Sequence, residues 1–333
     1  MNSSRDVSDR TALVALDWGT SSLRAFRMDA EGTVLERRSG GHGIQNLPAP
    51  GNAGFQQAFD EICGDWLEDR DVPVIAGGMV GSAQGWKEAP YLACPVRLET
   101  LGSAATAMKT ETGRTILIAP GVSFETPAGM PDVMRGEEIQ IAGVLADRPE
   151  WSRHSLLVLP GTHSKWAEVR NGEIVRFSTY MTGELYSVLV RHSILGRLMP
   201  QDGKAAPEIA TKAFADGVAM ARTGSADDLT HQLFAVRTLG LTGRLPTAAL
   251  GDYLSGLLIG HELVSGLAQI SAARAGVPLV LVGENALCER YARAFSDLGS
   301  EPAGRIENPA PRGLFWLAVA AGLVQLERSG QYV

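Results

Sequence analysis

Apolar residues fall into two rhythms along this chain. Short runs bounded by glycine or polar clusters alternate with longer stretches in which apolar residues recur every three to four positions. Leu13 to Asp17 is the first run. It ends on a carboxylate, turns through Trp18-Gly19-Thr20-Ser21, and resumes with Leu23, Ala25 and Arg27 at alternate positions. Strands are expected over about 11–18, 22–28 and 33–39. Phe55 to Leu67 has apolar residues at 55, 58, 59, 62, 66 and 67, the stripe of an amphipathic helix. Val72 to Ala76 reads as a buried strand entering Gly77-Gly78, and Thr115 to Ile118 as another short strand. Pro90-Tyr91 and Cys94-Pro95 imply an extended segment between them. A helix is expected over Ile139 to Ala146, led by Glu137 and Glu138, a pair that the helix dipole alone would favour there.

The second half repeats this opening. Strands are expected near 155–160, 165–170 and 173–178, then a helix over Thr182 to Leu198 with Thr182 as its N-cap. Residues 205 to 275 read as mostly helical, for example Leu250 to Ala273. A buried strand, Pro278 to Val282, runs into Gly283-Glu284-Asn285 and a helix from Ala286 to Leu298, and an apolar helix, Gly313 to Leu326, closes the chain. Leu156 to Phe177, LLVLPGTHSKWAEVRNGEIVRF, follows the same order as Leu13 to Glu36, LVALDWGTSSLRAFRMDAEGTVLE. Each has a hydrophobic run, Gly-Thr, a Ser two residues on, a strand, a turn and a third strand. Gly19 to Gly32 spans thirteen positions and Gly161 to Gly172 eleven. Self-similarity at half the chain length implies a duplicated fold.

Each Gly-Thr corner aims backbone N–H groups and hydroxyls at one point, which suits a phosphate, and Asp17 beside the first suits Mg²⁺. A side chain at Gly19 would hold the backbone away from such a ligand. Turn geometry alone would also explain one corner; the second copy is what favours a pair that grips a triphosphate from two sides. Gly40-Gly41-His42-Gly43-Ile44 is flexible enough to approach a ligand. Gly77 to Trp86 lies beyond the carboxyl end of a strand, where α/β sites form, although a glycine-bearing loop into a helix reads equally well. Gly283 opens a strand-to-helix turn that would suit an adenine, or an ordinary turn.

A length of 333 residues exceeds most single cores, so two domains are expected. Apolar content of 45%, 20% charged residues and a mean hydropathy of +0.01 are those of a globular enzyme. A net charge of −7 argues against a general nucleic-acid or membrane surface, so an anionic ligand needs local cations and N–H groups. Cys63, Cys94 and Cys288 show no CxxC spacing and read as reduced thiols of a cytoplasmic protein. The opening MNSSRDVSDR reads as a frayed terminus and not a signal peptide, and the longest apolar run, Leu314 to Val324, is too short to span a bilayer. The chain has no GxxxxGK[ST], GxGxxG, HExxH or GxSxG, which weighs against P-loop, dinucleotide, zinc-hydrolase and serine-hydrolase chemistry.

The paired corners resemble the two phosphate motifs of the actin, hexokinase and Hsp70 superfamily of ATP-binding folds. More narrowly, LDWGTSSLRAFRMD, GGMVGSAQGWKEAPYLACP, MRGEE and LPGTHSKW together resemble the 2-dehydro-3-deoxygalactonokinase family. The resemblance implies two duplicated ribonuclease-H-like lobes of an α/β, actin-like ATPase fold with a central nucleotide cleft. It divides the chain into an N-terminal lobe at 1–150, a C-terminal lobe at 151–312 and a closing helix at 313–333. It also implies transfer of the ATP γ-phosphoryl group to the 6-hydroxyl of 2-dehydro-3-deoxy-D-galactonate, with ATP and Mg²⁺ required. On that reading Asp17 holds Mg²⁺, Gly19, Thr20 and Ser21 face the phosphates, Gly161, Thr162 and Lys165 face them from the other lobe, and Gly283 meets the adenosine. Glu137 is the candidate base; the wider superfamily has Asp at that place, which leaves Glu138 and Asp17 in contention. Arg24 is the candidate for the substrate carboxylate, with Gly78, Ser82 and Trp86 lining the sugar pocket. The expected partners are a small sugar acid and ATP, with no nucleic acid or membrane, and a homodimer is carried as an option. Two rivals remain: a kinase for another sugar or sugar acid, and a non-kinase ATPase of the same superfamily.

Overall fold

Leu13 to Trp18 forms β1, a strand buried at every residue except Asp17, as a central strand covered on both faces must be. β2 (Leu23–Met28) returns antiparallel to it with Arg24 opposite Asp17, and β3 (Val34–Gly40) pairs antiparallel with β2. The helix α1 (Gly51–Leu67) turns Phe55, Phe59, Ile62 and Trp66 inward, as its apolar stripe predicts. β4 (Val74–Gly78) then enters parallel to β1, setting Gly77 opposite Asp17, and β8 (Thr115–Ile118) lies parallel to β4. The edge strand β7 (Thr106–Lys109) completes the sheet, in the order β3-β2-β1-β4-β8-β7. This computed structural model describes residues 11–68, 71–200, 203–223, 228–270 and 276–325.

Between β4 and β7 lie two short strands, β5 (Tyr91–Ala93) and β6 (Val96–Arg97), and the helix α2 (Leu98–Ser103). β9 (Gly121–Glu125) and β10 (Pro131–Met134) join β5 in a three-stranded sheet of order β10-β9-β5, which the sequence pattern did not reveal. α3 (Glu137–Asp147) follows at once, beginning on the expected glutamate pair.

The second sheet uses β11 (His154–Leu159), β12 (Ser164–Arg170), β13 (Glu173–Tyr180), β14 (Leu279–Val282) and β15 (Gly304–Ile306). Its order is β15-β14-β11-β12-β13, followed by β6, with β11, β14 and β15 parallel. β12 and β13 are joined by Asn171 (φ 51°) and Gly172 (φ 75°), a two-residue turn that only antiparallel strands can share. Numbered by appearance, five strands of each sheet therefore line up as 3-2-1-4-5. The α/β fold is a duplicated ribonuclease-H-like plan, as the repeated sequence implies.

The chain divides into two compact units. Among the described residues, one contains the chain up to His154, Ala167–Phe177 and the part from Asn308; the other contains those within Ser155–Trp166 and Ser178–Glu307. The division expected from sequence set 313–333 apart as a closing piece. In the structure the final helix α9 (Ala310–Ala320) belongs to the first unit, because Leu314, Phe315, Leu317 and Ala318 are buried and the helix packs on α3.

The helices of the second unit are α4 (Thr182–His192), α5 (Pro207–Thr223), α6 (Leu229–Leu241), α7 (Leu250–Ile270) and α8 (Asn285–Asp297). α4 is shorter than expected, giving way at Ser193 to a single 3₁₀ turn at Gly196–Leu198. Thr182 is not its N-cap: Met181 holds that place, and the Thr182 hydroxyl is bonded to buried Glu262 instead. The frayed terminus at 1–10 and the helical reading through Ala273 run onto residues outside those described, whereas the closing helix, expected through Leu326, ends at Ala320 and gives way to a turn with Gly322 at φ 75°.

Candidate active site

In the first unit the site residues gather at the carboxyl ends of β1 and β4. Asp17 is about one-fifth exposed, and Arg24, its partner across the β1–β2 pair, brings Nη1 to 3.6 Å from its Oδ2. The same Nη1 donates to Asn308 Oδ1 at 3.2 Å. Burial pushes the Asp17 carboxyl up from its ordinary value, the Arg24 charge pulls it back, and the Glu137 charge pushes it up again. Asp17 and Glu137 are thus electrostatic neighbours, two carboxylates whose mutual repulsion a divalent cation would relieve.

Gly78 makes this approach feasible. It ends β4 at φ +88°, and a Cβ there would lie 2.8 Å from the Trp18 carbonyl oxygen and 3.7 Å from Asp17 Oδ1. Gly136, at φ +108°, abuts Gly78 from the start of α3. Only glycines fit this joint, and they let the first turn of α3 reach the end of β1.

The two glutamates differ in environment. Glu137 is half-buried, with Oε2 accepting from the Arg135 N–H at 3.1 Å. Glu138 is fully buried, and its carboxyl oxygens accept from the Gly136 N–H at 2.8 and 2.7 Å. Burial, with the Glu137 charge adding to it, pushes Glu138 up to about 8.

The first corner, Gly19 to Ser22, is closed by the Gly19 N–H donating to Ser22 O at 2.9 Å, and Thr20 and Ser21 are exposed. Ser82 is buried with its Oγ unpartnered among the described residues. Trp86 is packed into an aromatic group: it stacks on Phe55 at 5.8 Å and 10°, and meets Trp18 edge-on at 5.8 Å. The expected sugar-lining set is therefore split, with Gly78 at the carboxylates and Trp86 on the core.

In the second unit the corner between β11 and β12, Pro160 to His163, has the same length as the first. Gly161 is half-buried, and Thr162 and His163 are exposed. Lys165 is not a surface lysine; its stem is buried and its Nζ donates to the His163 carbonyl at 3.2 Å, which sets a positive charge against the corner. His163 Nε2 contacts the Glu184 carboxylate. Gly283, at φ +146°, follows β14 with its N–H on Ile306 O at 3.0 Å, and Glu284 caps α8 through the N–H groups of Ala286 and Leu287.

Sequence reasoning did not find Asn308, because its link to Arg24 joins residues far apart in the chain. It also did not find the Glu184 contact, although an acidic residue in a first helical turn was visible.

Comparison with known proteins places this arrangement. The 2-keto-3-deoxy-galactonokinase family matches residues 17–317. The 2-dehydro-3-deoxygalactonokinase of Escherichia coli (strain K12) is 36% identical over 86% of this chain and 90% of its own length. A relative from Rhizobium meliloti (strain 1021), DgoK1, is 37% identical over 86% of this chain and 89% of its own. A crystal structure from Sinorhizobium meliloti, of a protein assigned as a 2-dehydro-3-deoxygalactonokinase, superposes with a TM-score of 0.81 at 33% identity, covering 93% of this chain and 98% of that one. With the match running from Asp17 near the end of β1, through both corners and the glutamate pair, into α9, this chain belongs to the 2-keto-3-deoxy-galactonokinase family.

Proposed function

We propose that this chain is an ATP-dependent kinase that phosphorylates the 6-hydroxyl of 2-dehydro-3-deoxy-D-galactonate. Family membership supports the reaction, and the glycine joint of Gly78 and Gly136, which brings the start of α3 with Glu137 to the end of β1 with Asp17, is the observation that carries the mechanism. The substrate oxygen attacks the γ-phosphorus, the bond from that phosphorus to the β,γ-bridging oxygen breaks, and ADP departs. Glu137 takes the hydroxyl proton. It suits this role better than Glu138, which is enclosed and held toward its protonated form near neutral pH.

Asp17 is the residue to hold Mg²⁺, since a carboxylate at the end of β1 beside a second carboxylate offers the hard oxygen donors this ion takes. Bound there, the ion would neutralise phosphate charge that builds during transfer. Thr20 and Ser21 offer N–H groups and hydroxyls to the phosphates, with Gly19 as the bend that lets the backbone come close, and Gly161 and Thr162 do the same in the other unit, with Lys165 adding charge. Gly283 serves the adenosine. Arg24 is engaged by Asp17 and Asn308, so it reaches a substrate carboxylate only through its exposed third.

Cytoplasmic work on small polar substrates is consistent with three free thiols and with no described helix long and apolar enough to cross a membrane. The test is coupled ADP release with 2-dehydro-3-deoxygalactonate and its gluconate epimer. Turnover preferring the galactonate form supports the reading; preference for the epimer moves the substrate, and ADP release without either acceptor overturns the kinase.

A further inference from the structure

The glycine-rich passage at 40–43 invites a ligand-binding role, but the structure uses it otherwise. Gly43 stands three residues beyond the end of β3, and a Cβ there would fall 2.4 Å from Thr20 O, Ser21 C and Ser22 N. It is pressed against the backbone of the first corner. The next two residues bond to the same corner: the Ile44 N–H donates to Gly19 O and the Gln45 N–H to Thr20 O, both at 3.1 Å.

The second unit repeats the device. Gly183 stands three residues beyond the end of β13, and a Cβ there would fall 2.5 Å from Gly161 O and 2.8 Å from Thr162 Cα. The Glu184 N–H donates to Thr162 O at 3.0 Å. In each unit a glycine at the same offset from the third strand is wedged on the corner that joins the first two, and the residues after it fasten the corner's carbonyls. Flexible backbone does not explain this, because neither glycine is conspicuous for a left-handed conformation. Close approach does.

Side chains add to both braces. Trp18 Nε1 donates to the His42 carbonyl at 2.9 Å, tying the residue before the first corner to its brace. In the second, the His163 imidazole contacts the Glu184 carboxylate, which fixes the ring beside the corner.

We propose that Gly43 and Gly183 are positioning residues, one for each phosphate corner, with Glu184 acting through Thr162 and His163. Using up the corner carbonyls from behind leaves the corner N–H groups other than that of Gly19, with the Thr20, Ser21 and Thr162 hydroxyls, as the groups turned to phosphate. A corner already set in shape loses less freedom when an anion binds. The inference rests on the proposed nucleotide role of the corners.

The experiment is calorimetric titration of Gly43→Ala, Gly183→Ala and Glu184→Gln with MgATP and, separately, with adenosine, alongside KM for ATP and for the sugar acid. An added methyl against backbone must shift the corner, so each alanine variant is expected to lose on the order of tenfold or more in ATP affinity. Adenosine affinity and the sugar-acid KM should change less than twofold. Glu184→Gln keeps Gly183 and the helix, and is expected to lose a few-fold for ATP alone, so an alanine variant that does not fold leaves the test intact. Equal losses for ATP and adenosine, or ATP binding at the wild-type level in folded variants, overturn the inference. Absence of ATP binding by the wild-type chain would instead overturn the kinase reading.

Discussion

Glu137 and Glu138 are consecutive in the chain and opposite in environment, one facing Asp17 and one sealed in the fold. A base must be able to approach the substrate hydroxyl, and half-buried Glu137 leaves room for that where enclosed Glu138 does not. Glu137→Gln is therefore expected to lower kcat by about 10²–10⁴-fold while ATP affinity stays near wild type; kcat close to wild type in the coupled assay would remove it from the role. Glu138 makes a different prediction, about stability. Its carboxyl rises from an ordinary value of 4.5 to about 8 on folding, so across that window the folded chain holds a proton that the unfolded chain has released. Stability from this group is present in full below about 4.5 and is lost as pH rises toward 8. Glu138→Gln keeps an oxygen for the Gly136 N–H and cannot ionise. Denaturant midpoints measured at pH 5 and pH 8 should show the variant gaining on wild type at the higher pH. A constant difference between the two would mean that Glu138 is not protonated in the folded chain.

At the scale of elements, the longer strands, their corners and most helices could be read from apolar rhythm, while the short strands β5, β6, β7, β9, β10 and β15 could not, and the reason is physical. β1, β4, β11 and β14 are buried central strands, and α1 has one apolar stripe, so each carries its environment in its own residues. β5, β9 and β10 were illegible because short strands exposed on one face, such as the Tyr91–Ala93 segment, have no apolar run to announce them. The same contrast separates the site residues. Asp17 and Glu137 stood out because each ends or begins an element. Trp86 shows where proximity in sequence misleads: it follows the glycine loop that leads to the site, yet its ring lies on Phe55 and Trp18. Trp86→Ala should cost about 2–3 kcal/mol in chemical denaturation, somewhat less than a fully buried tryptophan, and leave the sugar-acid KM unchanged. A raised KM at full stability would return Trp86 to the sugar pocket.

The whole molecule carries a net charge of −7, yet its proposed ligands are a triphosphate and a sugar acid. Long-range attraction cannot assemble that complex, so on the proposed function affinity would come from groups close to the ligand: corner N–H groups, the Lys165 ammonium and a cation that Asp17 would hold. This makes the metal's share of ATP binding separable. Ligand present at a hundred times its dissociation constant stabilises a folded chain by about 2.7 kcal/mol, which a thermal melt resolves. Wild type should melt higher with MgATP than with ATP in the presence of a chelator. Asp17→Asn removes the carboxylate while preserving its size beside Arg24, so its melts with MgATP and with chelated ATP should converge, at a level still above that of the chain alone because the corners remain. If Asp17→Asn kept the full magnesium-dependent increment, the ion would be held elsewhere, and the like-charge pair of Asp17 and Glu137 would need another purpose.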